Sequence, residues 1–253
     1  MKYFKLFASM LALALTISSG LVACGDPTST TIPPTATATP KAPPTPAPAA
    51  TATTLAATLT SQFQRIPATP ARDTEKMTVG DPKAEITLIK YTDFRCPVCK
   101  RIFDQVEPLI QQQYVSTGKI KFTLITYPVI DSIENDSESQ LGGQALLCAA
   151  DQQRAWDYHN LAYNNFVGKT QGKLTAAFLK DMGKALGLNT SDFNSCLDSG
   201  KYRQTVIDQT LQAEQIGVSG TPTFATVYKG NLQLLKGNTF EAVKLALDTL
   251  LAK

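Results

Sequence analysis

The sequence predicts an α/β domain interrupted by an all-helical insertion and preceded by an unstructured tether. Three observations predict it. Two short runs rich in β-branched residues bracket a long amphipathic stretch, the block of about residues 130–216 carries mostly helical patterning, and two more strand-like runs lead into a closing amphipathic helix.

Residues 1–24 have the plan of an export signal. Lys2 and Lys5 supply a basic start, residues 11–17 an apolar stretch, and Leu21-Val22-Ala23-Cys24 closes it with small residues before a cysteine. The apolar stretch is shorter than the roughly 20 residues a spanning helix needs. The tetrapeptide resembles the lipobox of bacterial lipoproteins, which makes Cys24 the expected lipidation site; in a plain export signal Cys24 would be incidental. Residues 25–72 then shift to Thr, Ala and Pro, with Pro33, Pro34, Pro40, Pro43, Pro44, Pro46 and Pro48 crowded together. Such a segment buries too little apolar surface to offset its ordering entropy and favours extended polyproline conformations. It suits a tether. Leu55, Leu59, Phe63 and Ile66 fall at helical spacing, so a short helix docking on the domain is expected there.

The folded domain is assigned to residues 73–253. Residues 85–91 (EITLIKY) read as a strand that stops at Thr92-Asp93. After Cys96, one apolar face of Ile102, Phe103, Val106, Ile110 and Tyr114 predicts a long helix with a kink at Pro108. Residues 119–127 alternate Ile120, Phe122 and Leu124 with Lys119, Lys121 and Thr123, a second strand. In the insertion, Trp156, His159, Tyr163 and Phe166 share a helical face. Thr175 is a predicted N-cap with Leu174 and Leu179 placed as a hydrophobic staple. Asn189 with Asp192 opens another helix carrying Phe193, Cys196 and Leu197, and residues 201–216 form a further one stopped by Gly217. Strands return at 223–228 and 232–235, joined by Lys229-Gly230-Asn231 as a hairpin. Asn238-Thr239-Phe240-Glu241 reads as a capping box for the last helix. Strand–helix–strand order implies a parallel pair; the hairpin adds antiparallel strands.

The formal charge is +3, and without Lys2 and Lys5 the count is 22 basic against 21 acidic residues with no long basic run. That balance excludes the electrostatic footprint of a nucleic-acid binder. Of five cysteines, setting Cys24 aside leaves Cys96, Cys99, Cys148 and Cys196. Cys96-Pro97-Val98-Cys99 follows a strand and opens a helix, with Pro97 in the first turn, where its missing N–H costs nothing. A thiolate there faces unpaired N–H groups and the positive end of the helix dipole, which lowers its pKa and makes it a good leaving group. Cys99 lies one turn along and is expected to be the more buried partner. Zinc needs about four ligands, whereas the chain has no second C-x-x-C and a single histidine; no metal and no cofactor are expected. Cys148 and Cys196, each alone on a helical segment, are expected to form a structural disulfide, because lone buried thiols are uncommon in exported proteins. The alternative, a second redox pair, lacks a helix-start proline beside either cysteine. His159, on an apolar face, is expected to be packed and hydrogen-bonded. Asp93, Arg95, Lys100 and Arg101 flank the site, where they are placed to tune the thiolate pKa, although charges at a surface usually matter little.

Thr78-Val79-Gly80-Asp81-Pro82, the strand that follows, and Thr92-Asp93-Phe94-Arg95-Cys96-Pro97-Val98-Cys99 together resemble the start of the DsbA-like branch of thioredoxin-fold proteins. Gly217-Val218-Ser219-Gly220-Thr221-Pro222-Thr223-Phe224 is similar to that family's cis-proline loop, and Trp156-Asp157-Tyr158-His159 to a motif of its helical insertion. The resemblance implies a thioredoxin fold and a protein thiol–disulfide oxidoreductase. It makes Cys96 and Cys99 catalytic, and Pro97, Val98, Thr221 and Pro222 substrate-binding, the substrate chain pairing as an added strand beside Thr221. As an isolated feature, Gly220-Thr221-Pro222 would be an ordinary turn. Val98 stands where the family's best-known oxidants carry histidine, which implies a milder oxidant. The implied partners are reduced exported proteins and a quinone-linked membrane oxidase, DsbB-like or vitamin K epoxide reductase-like, and the implied location is the extracytoplasmic face of the cell membrane. Two alternatives stay open: a reductase or isomerase kept reduced by a membrane thiol donor, for which Thr221 is also suitable, and a peptide-binding lipoprotein without turnover.

Overall fold

The computed structural model describes residues 76–253. Cys24, the Thr/Ala/Pro-rich stretch and the helix expected around residues 55–66 lie outside the described residues.

The elements run β1 (Thr78–Gly80), β2 (Ile86–Thr92), α1 (Pro97–Gln105), α2 (Glu107–Ile110) with a π-helical turn (Gln111–Val115), and β3 (Ile120–Thr126). The insertion comprises α3 (Val129–Glu134), α4 (Glu138–Asp151), α5 (Ala155–Asn164), α6 (Ala176–Ala185), α7 (Thr190–Asp198) and α8 (Arg203–Gln215). Then come β4 (Thr223–Tyr228), β5 (Asn231–Leu234) and α9 (Phe240–Leu251). The sheet order is β1-β3-β2-β4-β5, with β2 and β3 parallel and the other pairs antiparallel. This is a thioredoxin-like α/β fold with a helical insertion.

Central β2 is covered on both faces, so every residue of it but Thr87 is buried, the polar Lys90 and Thr92 included. Ile86 and Leu88 join Ile102, Val106, Ile110, Val243 and Leu247 in one core, so α1, α2 and α9 cover that face. Ile89, Tyr91 and Ala225 pack with Ala213 and Val218, so α8 covers part of the other. A third cluster fills the insertion and reaches Cys96 and Cys99. Active-site helix and insertion thus meet in one packed region.

Several expectations meet local corrections. The single long helix after Cys96 is broken: α1 ends at Val106, which is also the residue before α2, and Pro108 sits in the first turn of α2. Pro108 has no N–H for a carbonyl of the preceding turn, which accounts for a one-residue interruption at Val106, close to the kink expected at Pro108. Thr175 and Asn189 accept from the N–H of Phe178 and Asp192, as N-caps do. In the last helix the cap is Thr239, accepting from Ala242 N, and not Asn238; Glu241 therefore falls one place early for a reciprocal capping box. The hairpin loop is Lys229-Gly230, both with positive φ (47° and 78°), the geometry that matches strand twist in a two-residue turn. Strand β1 is three residues long, too short to carry a strand period in the sequence. Gly80 is required at its end, since a Cβ there would lie 2.4 Å from the Ile120 carbonyl. Among the described residues no helix is long and apolar enough to cross a membrane.

Candidate active site

Cys96 is the N-cap residue of α1, extended at φ −77° and ψ 117°, with Pro97 following it. A tight turn presents it. Cys96 N donates to the Asp93 carbonyl at 3.1 Å, and Arg95 N donates to Asp93 Oδ1 at 2.8 Å. Across from this turn, the Thr221–Pro222 peptide bond is cis and the Cys96 thiol donates to the Thr221 carbonyl at 3.3 Å. That loop is itself held, by Thr223 Oγ1 donating to the Gly220 carbonyl at 2.8 Å and Tyr127 OH to the Val218 carbonyl at 3.4 Å. Of the residues singled out around the pair, Pro97 is exposed, Val98 and Thr221 are half-buried, and Pro222 is buried.

Both cysteines are free thiols, and their acidities are pushed apart. A hydrogen bond from Cys99, with help from Thr221 and the N–H groups of Cys99 and Val98, overcomes burial and brings Cys96 down to about 5. Burial, then the bond to Cys96, pushes Cys99 well above its ordinary value, partly offset by the positive charge of Lys90. One sulfur is a stable thiolate at neutral pH and its neighbour stays protonated. This division of roles is what a disulfide that forms and opens stepwise requires.

A buried polar cluster lies close to Cys99. Lys90, fully buried on β2, donates to Glu107 Oε1 and lies 3.5 Å from His159 Nε2 and 4.8 Å from the centre of the Tyr163 ring. Burial lowers His159 to about 4, so it is neutral at physiological pH. Its Nδ1 donates to Asn160 Oδ1 at 3.0 Å, which leaves Nε2 to accept from Lys90. Tyr163 OH donates to the Asp93 carbonyl at 3.0 Å and pairs with Thr92 Oγ1 at 2.6 Å. His159 is therefore packed and bonded, among the rings of Trp156, Phe103 and Tyr163. A lysine within an apolar strand run was the available signal, because a buried lysine requires an acidic partner.

Asp93 and Arg95 are not surface charges. Both are buried; Arg95 Nη1 reaches Asp136 and Asp131, and Asp93 Oδ2 accepts from Ile130 N at 2.9 Å. Desolvation lifts both Asp93 and Asp131 to about 6. Lys100 pairs with Asp104 one turn along α1, the exposed arrangement expected of it. Cys148 on α4 and Cys196 on α7 are joined by a disulfide that closes the insertion on itself. Among the described residues no group of His, Cys, Asp and Glu side chains is placed to hold a metal ion.

The Thioredoxin family model matches residues 72–247. A probable disulfide bond formation protein D of Bacillus anthracis is 25% identical over 183 residues, 70% of this chain and 79% of the relative. Oxidised BdbD from Bacillus subtilis superposes with a TM-score of 0.62 at 18% identity, covering 72% of this chain and 96% of its own. Chlamydia trachomatis DsbA superposes with a TM-score of 0.59 at 22% identity, covering 74% and 97%. A redox-capable pair at a helix start, a cis-proline loop against its first sulfur and these likenesses lead to one assignment: the chain belongs to the thioredoxin family, as a DsbA-like homologue of protein disulfide oxidoreductases.

Proposed function

We propose that the protein is an extracytoplasmic dithiol oxidase, lipid-anchored through Cys24, that passes a Cys96–Cys99 disulfide to thiols of exported proteins. The observation that carries this reading is the opposed acidity of the two sulfurs beside the Thr221 carbonyl. In the oxidised enzyme a substrate thiolate attacks Cys96 Sγ, the Cys96–Cys99 bond breaks, and Cys99 takes the electron pair and a proton. A mixed disulfide between substrate and Cys96 results. A second substrate thiolate then attacks the substrate sulfur and expels Cys96 as a thiolate, which a pKa of about 5 makes a good leaving group. The substrate dithiol has lost two electrons and the enzyme has gained them. While Cys96 is in a disulfide it has no S–H to donate, so the Thr221 carbonyl is free to accept from the substrate backbone. Pro97 and Val98 form the neighbouring wall.

The enzyme is then re-oxidised by a quinone-linked membrane protein, DsbB-like or vitamin K epoxide reductase-like, reached by a domain tethered to the same membrane. The Val98 side chain brings no charge or hydrogen bond to the thiolate, its backbone N–H being the same in any residue there, so the oxidant is milder than one with histidine at that position. Thiol trapping in intact cells tests the direction: a mostly oxidised Cys96–Cys99 pair supports the oxidase, and a mostly reduced pair supports the reductase or isomerase. Oxidative refolding of a reduced substrate separates catalysis from binding. Cys96→Ser abolishes the refolding activity of an enzyme and leaves any refolding assistance by a peptide-binding lipoprotein unchanged.

A further inference from the structure

We propose that Arg95 is a positioning residue for Cys96, fixing the start of α1 against the helical insertion through Asp131 and Asp136. The inference rests on the exchange chemistry proposed above. Arg95 immediately precedes Cys96 and is fully buried, a placement an arginine holds only when paired and bonded. Its Nη1 donates to Asp136 Oδ1 at 2.5 Å and to Asp131 Oδ1 at 3.3 Å, and its Nη2 to the Lys169 carbonyl at 2.7 Å. These acceptors belong to α3, the α3–α4 turn and the α5–α6 connection. One side chain therefore gathers three parts of the insertion at the residue before the nucleophile.

The acceptors are themselves fixed. Asp131 accepts from the N–H of Ser139 at 2.7 Å and of Gln140 at 2.8 Å, in the first turn of α4, and Asp136 from that of Glu138 at 3.2 Å. Asp93 adds a parallel strut, joining Arg95 N to Ile130 N through its two oxygens. Among the described residues no hydrogen bond or ion pair runs from this network to Cys96 Sγ, so its effect is exerted through position. The N–H groups of Val98 and Cys99 help stabilise the thiolate only while Cys96 sits over the first turn, and that alignment is what the network holds. A planar fork is needed because the acceptors lie in different directions; a lysine supplies one point charge.

The test uses the reduced full chain and reads the pH midpoint of Cys96 alkylation. Arg95→Met/Asp131→Asn/Asp136→Asn removes the guanidinium and the two carboxylates it reaches, leaves the Asp93 strut in place and avoids stranding carboxylates. Its midpoint is expected to rise by about one pH unit, leaving about tenfold less thiolate at pH values below it. Asp136→Asn alone, nearly isosteric, is expected to shift it in the same direction by less, and Arg95→Lys to fall between parent and triple variant. At the Cys96 midpoint Asp131, at about 6, is mostly protonated, so the charges removed are chiefly those of Arg95 and Asp136 and nearly cancel; a purely electrostatic effect leaves the midpoint nearly unmoved, whereas lost alignment raises it. A folded triple variant whose midpoint is unmoved or lowered overturns the proposal. Failure of both the triple variant and Asp136→Asn to fold also overturns it, by assigning the network to stability. If the unsubstituted chain exchanges no disulfides, the exchange reading fails, while the midpoint still reports on Arg95.

Discussion

The Cys96 thiol donates to the Thr221 carbonyl at 3.3 Å, joining residues 125 positions apart in sequence. Backbone and side chain of Thr221 act differently there: the carbonyl accepts a hydrogen bond from the thiol, and the buried hydroxyl, which has no hydrogen-bond partner of its own, helps lower the Cys96 pKa. Thr221→Val keeps the carbonyl and deletes the hydroxyl. The alkylation midpoint of Cys96 is expected to rise by a fraction of a pH unit, with Cys99 remaining unreactive near neutrality. A midpoint unchanged in the variant would remove the hydroxyl from the account.

Acidity at Cys96 links redox state to stability. In the folded dithiol form Cys96 titrates at about 5, against an ordinary value of 9.0. Between those values the unfolded chain holds a proton the folded chain has released, so stability of the reduced form rises with pH. That contribution is fully present above 9 and is lost as pH falls through 5. The oxidised form has no such group. Denaturation of both forms across this window is expected to show the reduced form gaining roughly 1 kcal/mol per pH unit relative to the oxidised. Parallel pH profiles would contradict the assignment.

The Lys90–Glu107 pair is fully enclosed, so breaking it strands a charge. Lys90→Met is expected to cost about 3–5 kcal/mol of unfolding free energy, and the double variant Lys90→Met/Glu107→Leu to recover most of it. Urea denaturation of the two variants measures the difference. Equal losses in both would mean that the pair's charge is not what the fold depends on.

Cys148 and Cys196 close a loop with a sequence separation of 48. Replacing both with alanine is expected to cost up to about 4 kcal/mol by the chain-entropy estimate. Exchange through Cys96 should continue below the lowered melting temperature. Loss of exchange in a variant that is still folded would make the second pair part of the chemistry.

Much of this was legible because period and punctuation agree with the fold. β-branched runs gave the main strands, Thr175 and Asn189 marked their helices, and Cys96-Pro97 marked the start of α1. Three things were not legible, each for a physical reason. Strand β1 is too short to carry a period, and its register comes from β3. The break before Pro108 depends on how far the chain can continue after losing one hydrogen bond. Lys90, Glu107, Asp93 and Arg95 look like surface residues in sequence, because pairing that permits burial is made by residues 17 to 41 positions away.

The central claim is that Cys96 is the reactive thiolate and Cys99 its protonated, buried partner. It is tested most directly by alkylating the reduced protein across pH and mapping the label by mass. The expected result is label on Cys96 with a midpoint near pH 5 and none on Cys99 through neutrality. A midpoint near 9 for Cys96, or label appearing first on Cys99, would contradict the account.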